Sequence, residues 1–155
     1  MVERYSGSSN VLLVRAVAFP LAGAPWDFDD ADARLNDLTF AFISATRATD
    51  DGGTLSTCMT ALQGLNAKDL FVARTDADRA SLAWFLLRCL DHLDINVRGG
   101  ALQLMAHLSD SGRLERSLPP QMVARLKSRI AELAETEGDE LSPELADLRD
   151  FLTSP

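Results

Sequence analysis

Basic charge is scarce in this chain of 155 residues. Its 15 lysines and arginines stand against 23 aspartates and glutamates, a formal net charge of -8. Neutralising phosphates needs a basic surface, so nucleic acid is not an expected partner. An acidic surface instead favours solubility and steers basic partners inward. Cysteine is scarce too. Cys58 and Cys89 both sit inside apolar runs, and a disulfide framework needs more cysteines in a smaller chain. Both read as buried free thiols in a reducing compartment, and the expected location is the cytoplasm. No apolar run approaches the ~18 residues that span a bilayer, so no membrane partner is expected. The N-terminal VLLVRAVAFPLAGAP ends in a cleavage-like Ala-Gly-Ala, but Arg15 interrupts the run and Glu3 spoils a basic leader.

Catalytic signatures are missing as well. No Ser-His-Asp arrangement or phosphate loop can be assigned. The only histidines are His92 and His107. Cys89-Leu-Asp-His92 has zinc-like spacing, but a structural zinc site wants four ligands with paired spacings at both ends. Asp27, Asp29, Asp30 and Asp32 lack the glycine and distal glutamate of a calcium loop, and read as carboxylates at a helix N-terminus. No catalytic residue, metal or cofactor is therefore expected.

What the chain has is 46% apolar residues at helical spacing. SLAWFLLRCLDHL, from Ser81, is apolar almost all round, which predicts a buried helix, and Trp84 is expected in its core. After the DINVRGG turn, Ala101, Leu102, Leu104, Met105 and Leu108 make one stripe, with Gln103 and His107 opposite. A helix ending near Arg47 carries Leu35, Leu38, Phe42 and Ala45, widened by Phe40 and Ile43. Asp50-Asp51-Gly52-Gly53 is a turn. Thr54 starts a helix with Leu55, Cys58, Met59, Leu62 and Leu65 inward. Thr75 or Asp76 caps the next helix, and Ser109 to Gly112 closes the one after it. Pro119-Pro120 opens a helix lined by Met122, Val123, Leu126, Ile130 and Leu133, with Gly138 as its C-terminal cap. Ser142-Pro143-Glu144 starts a last helix carrying Leu145, Leu148, Phe151 and Leu152. Residues 1–8 are expected to be a flexible tail. Val11–Phe19 has strand-like valines, but it lacks a partner strand and follows Ser9-Asn10, which suits a helix start. The expected fold is a single all-α domain over 1–155.

The helices also fall into pairs that align on one another. Leu38, Phe40, Phe42 and Ile43 fall on Leu82, Trp84, Leu86 and Leu87, 44 residues on. Leu82, Leu86, Leu90 and Leu93 fall on Met122, Leu126, Ile130 and Leu133, 40 on. Periods of ~40–47 with two helices per unit are those of HEAT and armadillo arrays. Asp94-Ile-Asn-Val97-Arg98-Gly-Gly-Ala101, followed by Leu104 and Leu108, resembles the HEAT family's turn and inner helix, where an Asp in the turn precedes a Val-Arg pair. The resemblance covers residues 81–108. It implies about three stacked antiparallel hairpins, a HEAT-like α-α superhelix; an irregular helical bundle is the alternative. Gly99 and Gly100, costly early in a helix, suggest a neighbouring helix approaching closely.

One charge pattern breaks local rules. Glu132, Glu135, Glu137, Asp139 and Glu140 crowd the end of a helix, where the dipole disfavours negative charge, while Arg125, Lys127 and Arg129 lie nearer its start. These five carboxylates are the candidate partner-binding residues. The reading that follows is a protein-binding helical module with an acidic surface. An acidic single-domain chain of this size, without a catalytic constellation, is similar to many bacterial immunity proteins. Those cover basic toxins with an acidic face. The alternative is a small enzyme or ligand-binding bundle with a pocket between helices.

Overall fold

A helix that is apolar on nearly every side must be covered on nearly every side. In the computed structural model, which describes residues 37, 39–41, 43–44, 46–67 and 73–153, that helix is α2 (Asp76–Leu90). Ser81, Leu82, Ala83, Phe85, Leu86, Leu87, Cys89 and Leu90 are all buried. The other helices with described bounds are α1 (Gly52–Ala67), α3 (Ile95–Asp110), α4 (Pro120–Glu137), α5 (Ser142–Asp147) and α6 (Arg149–Thr153), and residues 37, 39–41 and 43–44 are also helical. Short 3-10 turns occupy Thr46–Ala48 and Glu115–Ser117. The fold is all-α, with no strand among the described residues. None of the described helices is long and apolar enough to cross a membrane. The expectations for residues 1–8, Val11–Phe19 and the carboxylates from Asp27 to Asp32 lie outside the described residues, as do Leu35, Leu38, Phe42, Ala45 and the side chain of Leu65.

Local chemistry sets the helix ends. Thr75 and Asp78 form a reciprocal capping box at the start of α2, each side chain taking the other's backbone N–H. Asp94 caps α3, accepting from the Asn96 N–H at 2.9 Å. Gly112, at φ 66, turns the chain out of α3, and the Arg113 N–H returns to the Leu108 carbonyl at 2.8 Å. Pro120 opens α4, where its missing N–H costs nothing. Two ends differ from the sequence expectation. Helix α1 begins at Gly52, because Asp51 accepts from the Thr54 N–H at 2.8 Å and so draws the start two residues back. Ser142 is the first helical residue of α5, and its side chain makes no capping bond. Gly138 caps the end of α4 as expected, with a right-handed φ of -56. A Cβ there would sit 2.3 Å from the Ala134 carbonyl oxygen, so space rather than handedness selects the glycine.

The helices stack in two rows. Helix α3 packs against α1 on one flank and α5 on the other, while α2 packs against both α3 and α4. The predicted α3 stripe is fully buried, and Gln103 and His107 are exposed. Leu126, Ile130 and Leu133 carry the α4 side, with Met122 and Val123 half-buried. The two glycines of α3 face opposite neighbours. A Cβ on Gly100 would lie 3.0 Å from the Met59 Cε of α1, and one on Gly99 would lie 3.5 Å from Leu141, just ahead of α5.

Trp84 corrects the sequence reading: it is 39% exposed rather than core. It lies on the outer face of α2 with exposed Ala77 and Ala80. The guanidiniums of Arg47 and Arg88 lie 5.4 and 5.1 Å from its ring centre. A cation over the ring face stabilises a partly exposed tryptophan without burial.

Leu86 and Leu104 are both fully buried at the meeting of the rows. Changing either to alanine is expected to cost ~2–5 kcal/mol in denaturant unfolding. A loss below about 1 kcal/mol at both positions, well under the range for large core truncations, would show that α2 and α3 are not the centre of the fold.

Candidate partner-binding edge

Three turns, at 46–51, 91–94 and 138–141, come together along one edge of the stack, and side chains from the helices tie them to one another. Arg88, near the end of α2, donates to the carbonyl oxygens of Thr46 and Thr49 and pairs with the Asp50 carboxylate. Arg129, in α4, donates from Nε to Asp91 Oδ1 at 2.7 Å and pairs with Glu132 at 2.9 Å. Burial opposes the Arg129 charge, but its bonds to Glu132 and Asp91 outweigh this and hold its pKa above the ordinary arginine value. The two cross-turn pairs have the same sequence separation, and each member of one lies 41 residues from its counterpart in the other.

Arg98 makes the central tie. Its side chain is 12% exposed. It donates to the carbonyl oxygens of His92 and Leu93, and it pairs with Glu137 at 2.7 Å. His92 bridges to the preceding turn: its Nε2 donates to the Asp50 carbonyl at 2.9 Å. Its Nδ1 accepts the Asp94 N–H at 3.0 Å, which assigns the ring proton to Nε2. His107 bonds the Gln103 carbonyl through Nδ1, and roughly 18 Å of helix separates it from the start of α3. The two histidines therefore cannot share a metal ion. No cluster of three or more metal-ligating side chains occurs among the described residues.

The five sequence-predicted carboxylates divide in two. Glu137 is held by Arg98 and is 27% exposed, and Glu132 is engaged by Arg129. Glu135, Asp139 and Glu140 are exposed around an open recess of about 290 Å³ formed by the end of α4 and the following loop. The unfavourable charge order of α4 thus has a tertiary cause. Arg129 and Glu137 are placed for partners in the α2–α3 pair, not for the dipole of their own helix.

Comparison with family models, with curated proteins and with solved structures gives no match. Sequence reasoning stopped at Glu132–Glu140. The structure adds exposed Asp50, Asp51, Asp91 and Asp94, and Leu93 at 96% exposure, to the same edge. Nine carboxylates gather there, and Arg88, Arg98 and Arg129 reach in among them. The signal that could have found the additions is the 41-residue spacing of Arg88 with Arg129 and of Asp50 with Asp91.

Away from the edge, Cys58 and Cys89 are buried free thiols, as the sequence implied. Burial pushes both up to about 12, which leaves them protonated and inert near neutral pH. A second recess, of about 160 Å³, lies between the end of α3 and Phe151. None of the groups with a shifted pKa lines either recess.

Asp94 titrates below the usual carboxylate range, chiefly because the Asn96 backbone N–H donates to it and also through the Asn96 side chain. A carboxyl with a lowered folded-state pKa stabilises the fold above its unfolded pKa, and that contribution disappears as pH falls through the folded pKa. Asp94→Asn keeps a capping oxygen but removes the titration. Urea midpoints should show the wild type ahead of Asp94→Asn at neutral pH, with the gap closing on acidification through the carboxylate range. A gap independent of pH would contradict this role.

Proposed function

We propose that the chain is a protein-binding module of stacked helical hairpins, HEAT-like in plan, whose acidic turn edge receives a basic protein. The observation that carries this reading is the convergence of carboxylates from three successive turns on one edge, where the arginines present are committed to internal bonds. The repeat plan draws support from the two rows of helices and from the recurrence of the arginine–aspartate tie after 41 residues.

The specific form of the reading is a bacterial immunity-type protein that neutralises a basic toxin by covering it, working in the cytoplasm. Small size, a net charge of -8 and two buried free thiols support it by analogy, and fold alone does not fix function. A small enzyme or ligand-binding bundle would draw support from an enclosed polar cavity lined by groups of shifted pKa. The recesses described above bring no such groups together, so the weight lies with binding.

Glu135, Asp139 and Glu140 are the partner-facing carboxylates that can be reversed without cutting the Arg98–Glu137 tie. The test is to recover the partner from the native host and measure association of the Glu135→Lys, Asp139→Lys, Glu140→Lys variant across salt concentrations. The expected partner is basic, and the triple reversal slows association by about tenfold or more at low salt. The difference narrows as salt screens the charges, while unfolding is unchanged. An acidic or neutral partner, or an association rate insensitive to the reversal, would defeat the reading.

A further inference from the structure

We propose that Leu93 is the apolar anchor of this edge, and that its partner presents an apolar pocket rimmed by lysine and arginine. The proposal rests on the reading of the edge as a docking surface. Leu93 is 96% exposed, whereas every other leucine or isoleucine whose side chain is described is buried or half-buried. It does not sit on a loose loop. Arg98 holds the Leu93 and His92 carbonyls from within the fold, and the His92 ring spans from the Asp94 N–H to the Asp50 carbonyl. The backbone that carries the leucine is therefore already ordered. A preorganised group loses little further entropy on binding, so most of its burial appears as affinity. Surface leucines commonly occur singly; what sets this one apart is near-complete exposure on a backbone held by Arg98 and the His92 ring.

The surroundings select the occupant. Asp91 is 59% exposed by side chain, Asp94 is exposed, and Glu137 lies across the turn on Arg98. A second copy docked through the same edge would set these carboxylates against themselves. Anionic lipid and nucleic acid meet the same repulsion. A small molecule needs a concavity, and Leu93 projects outward. A protein surface with a complementary hollow and a basic rim satisfies both the leucine and the carboxylates. The division of labour is then separate: the carboxylates set the rate of encounter, and Leu93 sets the lifetime of the complex.

The probe is the full chain with a photoreactive diazirine analogue of leucine at position 93, irradiated in the native host, with the same analogue at exposed Ala77 as control. The expected adduct is a basic protein, cross-linked beside lysine or arginine at an apolar hollow. The dissociation of that protein is then followed for the wild type, for Leu93→Ser and for the triple carboxylate reversal. Leu93→Ser should speed dissociation by about tenfold or more with little change in association, since a leucine's burial is lost. Its melting temperature should match the wild type, because the side chain touches little of the fold. Adducts to a second copy, to lipid or to an acidic protein would overturn the proposal, as would no adduct above the Ala77 control. If the triple reversal slows association while Leu93→Ser leaves dissociation unchanged, the anchor fails and the docking edge stands. If neither variant alters the kinetics, both fail.

Discussion

A helical hairpin that is apolar on both flanks cannot cover itself, and the α2–α3 pair is such a hairpin. The rest of the described structure follows from satisfying it. Helices α1 and α5 close the two flanks of α3, and α4 closes α2. The glycines of α3 let its neighbours come near: Gly100 faces Met59 on one side and Gly99 faces Leu141 on the other. Each added layer buries the face the previous one exposed, which is the energetic logic of any stacked helical array.

Apolar burial alone leaves the sliding of one helix past its neighbour poorly specified, because leucine-rich faces accept many registers. The arginines remove that freedom. Arg88 and Arg129 each reach back to the preceding turn, and Arg98 reaches forward to Glu137. A largely buried guanidinium is tolerable only with its donors matched, so a slipped register would strand Arg98 without its carbonyls and carboxylate. The same ties bring three turns into line, and those turns carry the carboxylates. The acidic edge is thus a consequence of how register is set.

Much of this was legible in the sequence because helix periodicity is a strong signal over long apolar stretches. The α3 stripe, the α4 stripe and Leu55, Cys58, Met59 and Leu62 of α1 were legible residue by residue, and Thr75 and Pro120 marked helix starts through known capping chemistry. Trp84 was misread for a physical reason. Its apolar ring hid the fact that Ala77, Ala80, Trp84 and Arg88 share one outer face, where two small residues and a cation signal exposure. The acidic edge was legible only around the end of α4, where five carboxylates fall between residues 132 and 140. Asp50, Asp91 and Asp94 are scattered along the chain, and only tertiary pairing by Arg88, Arg129 and Arg98 brings their turns together.

The central claim is that the turn edge, and no other surface, is where this protein meets its partner. The most direct measurement is amide hydrogen exchange of the full chain with and without the basic protein recovered from its host. The account predicts added protection at 50–54, 91–96 and 135–141, with α6 and the exposed positions near Gln103 and His107 unchanged. Protection centred on the outer face around Trp84, or on the recess beside Phe151, with the three turns exchanging as before, would contradict it.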